Sequence, residues 1–235
     1  MEKKLLSICT LTWDQLGLTR KFVDSVRRAT DVPYELIIVD NGSTDGTVEF
    51  IKQEADKSHF FPQNTGFAHG FNQALTLAEG EYVLVINNDT ELPNGWFGKL
   101  RSAFDADPRC GLVYPCYTRG QKVGERWWPG TKVKLLPAFS KELPAGVAIF
   151  SKTAIFAGEL KGFSEDYQIA GGEDLDLCFK AWTAGYSIYL DERVVVKHKG
   201  HGTSAKKLPN WKELYTKNGD FFQAKWGQYF KKDKR

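Results

Sequence analysis

The segment Gly171 to Cys178 places three carboxylates, Glu173, Asp174 and Asp176, within four residues directly behind a glycine pair. The apolar residues that follow have the spacing of one buried helical face, so the acids lie at a helix start. Backbone N–H groups and the helix dipole favour negative charge at such a position. Taken alone, the segment is explained as well by helix stabilisation as by catalysis.

Two further acids favour catalysis. Asp89, in Ile86-Asn87-Asn88-Asp89-Thr90, ends one apolar strand, and Asp40 ends an earlier one. The carboxyl ends of parallel strands lie at one edge of a sheet, where ligands bind. Carboxylate sites with different surroundings predict a metal-assisted reaction with a separate general base. Helix capping is the alternative for both strand-end acids.

The elements that must position these acids alternate between strand and helix. In the first half, strands are predicted at Leu5–Leu11, Glu35–Asp40, Ser58–Phe61 and Glu81–Ile86, and helices at Leu18–Arg28, Val48–Ala55 and Phe67–Ala78. In the second half, strands are predicted at Gly111–Tyr114, Gly146–Ser151, Ser187–Leu190 and Arg193–Lys197, and a helix at Leu175–Ala184. This alternation predicts an α/β fold with a mostly parallel, doubly wound sheet flanked by helices. Tyr117–Leu143 is predicted to be a long functional or mobile loop.

The composition fits a single large α/β domain. The chain has 235 residues, 42% of them apolar and 26% charged, and no apolar run approaches the ~20 residues that span a bilayer. The N-terminus has no signal-peptide pattern, and four cysteines without metal-ligand spacing predict free buried thiols. We therefore expect a cytoplasmic protein with a domain over residues 1–205, whose nucleotide-binding half is about 1–110 and acceptor-binding half about 111–205.

Residues 206–235 form a basic, aromatic tail that we expect to be helical. It holds nine Lys or Arg residues against three acids, interleaved with seven aromatic residues. Such a segment can pack back on the body, contact the inner face of an anionic membrane, or bind nucleic acid. Packing is the simplest of these expectations, peripheral membrane contact is the next, and nucleic acid is not expected.

Five segments in this order resemble the family-2 glycosyltransferases, which have the GT-A fold, and most closely their rhamnosyltransferase-like branch. The segments are Ser7 to Asp14, Val39 to Thr47, Asn64 to Asn72, Ile86 to Thr90, and Gly158 to Gly185 followed by His198. The resemblance implies transfer of a sugar, with inversion, from a nucleotide-diphosphate sugar to an acceptor hydroxyl. The acceptor would be a glycan, a lipid-linked molecule or a protein.

The resemblance also implies roles for the acids. Asp89 would hold Mn²⁺ or Mg²⁺ with the donor diphosphate, although Asn87 stands where the family's Asp-x-Asp motif has its first acid. Asp174 would be the general base, and Glu173 would shape the site. Asp176 lies about 200° around the helix from Asp174 and is expected to make structural contacts.

Donor recognition is assigned in the same way. Asp40 would accept a hydrogen bond from a pyrimidine N–H, and Trp13 would supply a stacking face beside Thr12. The positions that resemble other nucleotide contacts of the family are Asn64, Gly66, Asn72 and Asn88.

Two assignments stay open at this level. His198 is a candidate metal ligand, and His201 competes with it. Trp127, Trp128 and Trp182 could form an acceptor platform, although the helical spacing of Trp182 favours the core. A catalytically silent nucleotide-sugar or glycan-binding module of the same fold is the alternative function. A nucleotidyltransferase or a nicotinamide dehydrogenase would need a glycine-rich phosphate loop after the first strand, and no such loop follows that strand.

Overall fold

The computed structural model describes residues 4–119, 122–123, 130–139, 146–167, 169, 171–200 and 210–233. Trp127, Trp128 and His201 lie outside these ranges. One mixed sheet contains the strands β1 Leu6–Thr12, β2 Tyr34–Asp40, β3 Lys57–Phe60, β4 Tyr82–Ile86, β5 Thr90–Glu91, β6 Cys110–Arg119, β7 Lys122–Val123, β8 Val133–Leu135, β9 Ala148–Lys152 and β10 Ser187–His198. Their order is β3-β2-β1-β4-β9-β6-β10-β5, with β7 beside β6 and β8 beside β10.

The strand directions bring the functional segments to one edge. Strands β3, β2, β1 and β4 are mutually parallel, as predicted, and β1 ends level with β2, with Thr12 opposite Asp40. Strand β9 runs antiparallel to both β4 and β6, and β6 is parallel to β10. Therefore the carboxyl ends of five strands lie at the same edge of the sheet, namely those of β1, β2, β4, β6 and β10. Strand β9 starts from that edge.

The helices cover the sheet with apolar side chains. They are α1 Leu16–Ala29, α2 Thr47–Glu54, α3 Phe67–Leu77, α4 Trp96–Ala106, α5 Glu173–Thr183 and α6 Trp211–Trp226. A π-helical turn spans Ala154–Glu159, and a 3-10 segment follows α6 over Gly227–Asp233. The sequence expectations omitted α4, although its buried Trp96, Leu100 and Phe104 follow helical spacing.

Two expectations about the second half are wrong. The strands predicted at Ser187–Leu190 and Arg193–Lys197 are one strand, β10, with a register irregularity between Asp191 and Val195. Asp191 is fully buried and paired with Arg193 at 2.7 Å, so this polar stretch is an ion-paired bulge instead of a turn. Strand β6 also continues beyond Tyr114 into the predicted loop, because its residues pair with β10.

The four cysteines are buried and free, as predicted. The described part of the tail packs on the body, with Leu214 and Trp226 buried, which agrees with the simplest of the three expectations. Trp182 is also buried in the core. None of the helices in the described ranges has the length and apolar character needed to cross a membrane. Membrane contact through the tail stays a prediction.

Candidate active site

Asp40 organises the turn that follows β2. Its Oδ1 accepts the Thr12 hydroxyl at 2.9 Å, and its Oδ2 accepts the N–H groups of Gly42 at 3.0 Å and Ser43 at 2.8 Å. Both Asp40 and Thr12 are 1% exposed. These bonds fix the loop at the end of β2, and direct nucleotide contact by either side chain stays a prediction.

The loops after β1 and β2 are tied to each other. Asp14 and Gln15 adopt left-handed backbone with φ of 58° and 66°, which is strained for residues other than glycine. The Asp14 N–H donates to the Ser43 hydroxyl at 2.6 Å, and the Thr44 N–H donates to the Asp14 carboxylate at 2.7 Å. Such strain is typical of ligand-binding loops. Trp13 lies half-buried on this loop, where its stacking role remains to be tested.

Asn64 and Gly66 build the entry to α3. The Asn64 side-chain oxygen accepts the Gly66 N–H at 2.8 Å and the Asn41 amide at 3.2 Å. Gly66 has φ of 97°, and a Cβ there would come 3.1 Å from the Ile169 Cα. The glycine is therefore required by the backbone, and contact with a nucleotide is a separate, untested role.

The Asn72 side chain is hydrogen-bonded to the 163–165 turn. Its amide nitrogen donates to the Phe163 carbonyl at 2.9 Å and to Glu165 at 2.8 Å, and its oxygen accepts the Phe163 N–H at 2.8 Å. These contacts use the donors and acceptor of the amide to hold the 163–165 turn. The predicted nucleotide contact of Asn72 stays a prediction.

Asp89 and His198 meet at the carboxyl edge of the sheet. The Asp89 Oδ1 lies 3.1 Å from the His198 Nε2, and both side chains are 14% exposed. The Lys199 N–H donates to the Asp89 carbonyl at 3.0 Å, which holds the end of β10 against β5. Asn88 points elsewhere, with its amide donating to the Thr19 hydroxyl at 3.0 Å.

A cavity of about 200 Å³ opens beside this pair. Three lysines line it, namely Lys21, Lys197 and Lys199. Two carboxylates, Asp89 and Glu91, line it as well, so the three lysines leave a net positive charge that suits an anionic ligand such as a diphosphate. Sequence reasoning missed Lys21, because an exposed lysine on a helix carries no signal of its position until α1 is placed against β5.

The spacing of the pair fits a direct hydrogen bond and also two ligands of one metal ion. Two ligand atoms at right angles in an octahedron, each about 2.1 Å from Mg²⁺ or a similar ion, lie about 3.0 Å apart. The observed 3.1 Å between Asp89 Oδ1 and His198 Nε2 matches this spacing. No group of three His, Cys, Asp or Glu side chains converges as a metal site within the described ranges. Bound ligand oxygens or water would therefore have to complete the coordination.

Asp174 reaches the same edge from the start of α5. Its Oδ2 accepts the Gly146 N–H at 2.9 Å, and its Oδ1 accepts the Leu175 N–H at 2.8 Å. The next residue along the chain, Val147, accepts the Asn87 N–H at 3.0 Å. The Gly146 N–H bond to the Asp174 carboxylate and the main-chain bond between Asn87 and Val147 thus connect Asp174 to the strand end that carries Asp89. The sequence did not reveal Gly146 as a contact, because its role depends on β9 lying beside β4.

Burial sets the electrostatics of the α5 start. Desolvation raises the pKa of Glu173, and the neighbouring Asp174 charge raises it further. Desolvation also raises the pKa of Asp174, and the N–H groups of Gly146 and Leu175 oppose that rise. The Glu173 Oε2 is buried and has no hydrogen-bond partner among the described residues. Asp174 is partly exposed, so it is the carboxylate that a ligand can meet.

We expect Glu173→Gln to stabilise the protein at pH 8. Because burial raises the folded pKa of Glu173, its ionisation penalises folding once the pH exceeds the unfolded pKa of about 4.3. The amide removes that penalty, so Tm at pH 8 should rise by roughly 2–4 °C per kcal/mol recovered. Thermal unfolding at pH 8 and pH 4 checks this, with the exposed Glu49→Gln as control. A gain of the same size at both pH values would contradict the explanation.

Comparison with solved structures shows the fold. The chain superposes on GT-A glycosyltransferases, with a TM-score of 0.69 and 20% identity to a mannosyltransferase from Pyrobaculum calidifontis, solved with GDP-Man and Mn²⁺. The match covers 97% of this chain and 65% of that one. For GalNAc-T7, solved with UDP, GalNAc and Mn²⁺, the TM-score is 0.70 at 18% identity, over 95% of this chain and 50% of that one. The chain thus spans half to about two-thirds of these solved chains.

Residues 7–168 match the family model of glycosyl transferase family 2, and the chain belongs to this family. An N-acetylglucosaminyl-diphospho-decaprenol L-rhamnosyltransferase of Mycobacterium tuberculosis is 26% identical over 85% of this chain and 78% of its own length. The O-antigen chain rhamnosyltransferase RfbN of Salmonella typhimurium is 23% identical over 85% of this chain and 68% of its own. The predicted fold class and the likeness to the rhamnosyltransferase branch are confirmed.

Proposed function

We propose that this chain is an inverting, metal-dependent glycosyltransferase that moves a sugar from a nucleotide-diphosphate sugar to an acceptor hydroxyl. The proposal rests on the position of Asp174. Gly146 and Val147 link it to the end of β4, which leads to Asp89, and Asp89 is paired with His198. A base and a diphosphate site on one sheet edge suit in-line displacement.

In the proposed reaction, Asp174 takes the proton of the acceptor hydroxyl as its oxygen bonds to the anomeric carbon. The bond from that carbon to the diphosphate breaks, and its electron pair leaves with the diphosphate. Attack from the opposite face inverts the anomeric configuration. Asp89 and His198 would hold Mn²⁺ or Mg²⁺, which when bound neutralises the charge that develops on the diphosphate. The lysines around the cavity would attract the same charge.

The named relatives suggest substrates. Two are rhamnosyltransferases, and the name of one contains a lipid-linked diphosphate. We therefore propose an activated deoxyhexose or hexose as the donor and a lipid-linked or polymeric glycan as the acceptor. A silent binding module of the same fold would bind the same donors without releasing product.

A thermal-shift panel tests the proposal. dTDP-rhamnose, UDP-N-acetylglucosamine, GDP-mannose and the free nucleoside diphosphates would each be added with and without Mn²⁺. We expect the compounds of one nucleobase to raise Tm selectively, and to raise it more with Mn²⁺ than without it. Slow release of nucleoside diphosphate from the best donor, with water as acceptor, would then separate an enzyme from a silent binder. Equal shifts for all nucleotides would contradict the proposal.

We expect Gly146→Ala to lower kcat for this release by about 10- to 100-fold. A Cβ at Gly146 would come 2.9 Å from the Cβ of Asp174, so the carboxylate must shift. Nucleotide binding should stay unchanged, because the Asp89 site does not use this contact. The control is Gly98→Ala, where nothing lies within 4 Å of the added Cβ. Wild-type kcat in Gly146→Ala would show that Asp174 needs no such placement.

A further inference from the structure

Asp176 is the third carboxylate of the α5 start, and it is fully buried. Its Oδ1 is met by three donors, namely the Tyr167 hydroxyl at 3.0 Å, the Trp226 indole N–H at 2.7 Å and the Lys225 ammonium at 2.8 Å. The first donor belongs to the loop before α5, and the other two end the tail helix α6. The expected structural role of Asp176 is thus a junction between the loop, α5 and the tail.

The side chains around this junction are closely packed. A Cβ on Gly172 would come 2.8 Å from the Tyr167 ring, so the loop and the helix start are in direct contact. Trp226 is 9% exposed, and its ring lies 5.5 Å from that of Phe179 on α5. A buried carboxylate costs free energy unless it is paired and hydrogen-bonded, so the contacts of Asp176 strongly favour one placement of α6 on α5.

We propose that Lys225 and Trp226 are positioning residues for the general base, Asp174. By binding Asp176, they hold the first turn of α5, which also carries Asp174. The inference rests on the proposed function of Asp174. It adds that the tail, which lies beyond the residues matched by the family model, completes the active site. Gly146 fixes one side of Asp174 and the tail fixes the helix that carries it.

Lys225 has a second effect, through charge. The titratable and charged groups that face this cluster are Glu173, Asp174, Cys178 and Lys180 on α5, Tyr114 on β6, Asp166 and Tyr167 on the loop, and Lys225 on the tail. Without Lys225, the negative charge of Asp176 would lose its ion-pair partner. An uncompensated negative charge two residues from Asp174 would favour the protonated form of Asp174. A base must be ionised, so the loss of Lys225 should move the acid limb of the rate profile to higher pH.

The first arm of the test measures kcat and KM across pH for nucleoside diphosphate release from the donor that stabilises the protein best. We expect Trp226→Phe to lower kcat about tenfold with little change in KM. Lys225→Met should shift the acid limb upward, and Lys225→Arg should restore it. The control is Phe222→Leu, which loosens the packing on Phe179 without touching Asp176. An unshifted limb in Lys225→Met, or an equal kcat loss in Phe222→Leu, would overturn the inference.

The second arm does not need turnover. Hydrogen–deuterium exchange of the full chain should quicken over residues 171–178 in Trp226→Phe, relative to Phe222→Leu, and stay unchanged over β1 and β2. Equal exchange over 171–178 in the two variants would overturn the positioning role. If no donor in the panel is turned over, the proposed function fails, and the exchange result still decides whether the tail holds the α5 start.

Discussion

Replacing Asp174 by Asn is expected to slow sugar transfer by about a thousandfold while leaving donor affinity within a few-fold. The amide keeps the size of the side chain, and its single oxygen can still accept the Gly146 N–H, while the Leu175 N–H loses its side-chain acceptor. It cannot take a proton from the acceptor hydroxyl. Steady-state release of nucleoside diphosphate gives the rate, and calorimetric titration with the free nucleotide gives the affinity.

The control for this variant is Asp105→Asn, an exposed carboxylate on α4. It should keep the wild-type rate, because it lies away from the carboxyl edge of the sheet. Near-normal turnover in Asp174→Asn would show that another group is the base. Loss of nucleotide binding together with rate would instead show that Asp174 supports the donor site.

The second large effect is expected at the opposite side of the site. Asp89→Ala should weaken nucleoside diphosphate binding in the presence of Mn²⁺ by about 10- to 100-fold, because it removes the carboxylate of the ligand pair. Without metal, the variant and the wild type should bind the nucleotide alike. His198→Ala should show the same metal-dependent loss, since the two ligand atoms lie 3.1 Å apart.

Isothermal titration with and without Mn²⁺ separates these outcomes, with Asp105→Ala as the control. A loss in Asp89→Ala that is equal in both buffers would indicate that Asp89 contacts the nucleotide directly. A wild-type response in His198→Ala would remove this histidine from the metal site.

The sequence predicted the strands and helices up to the end of β4 well. Parallel strands buried on both faces, such as Glu35–Asp40, are almost continuously apolar, and short glycine-containing turns separate them from amphipathic helices. Helix α4 shows that the same rules could have been applied further along the chain. The bulge in β10 was not predictable in this way, because Asp191 and Glu192 resemble a turn until Arg193 is seen to neutralise Asp191.

For the candidate site, sequence order identified the acids but not their surroundings. Asp89 and His198 are more than a hundred residues apart, and their contact depends on β5 pairing with β10. The site contacts of Gly146 and Lys225 were not expected, because each acts on an acid of α5 through a long-range contact. Asn72 illustrates the reverse case, in which a motif residue has its side chain engaged by a structural turn.

The most direct test is anomalous diffraction from crystals grown with Mn²⁺ and the nucleotide-diphosphate sugar that stabilises the protein best. We predict a manganese peak bound by both Asp89 and His198, with the sugar's anomeric carbon between the diphosphate and Asp174. A peak away from that pair, or a sugar that leaves Asp174 facing another surface, would contradict a shared cleft for base and donor.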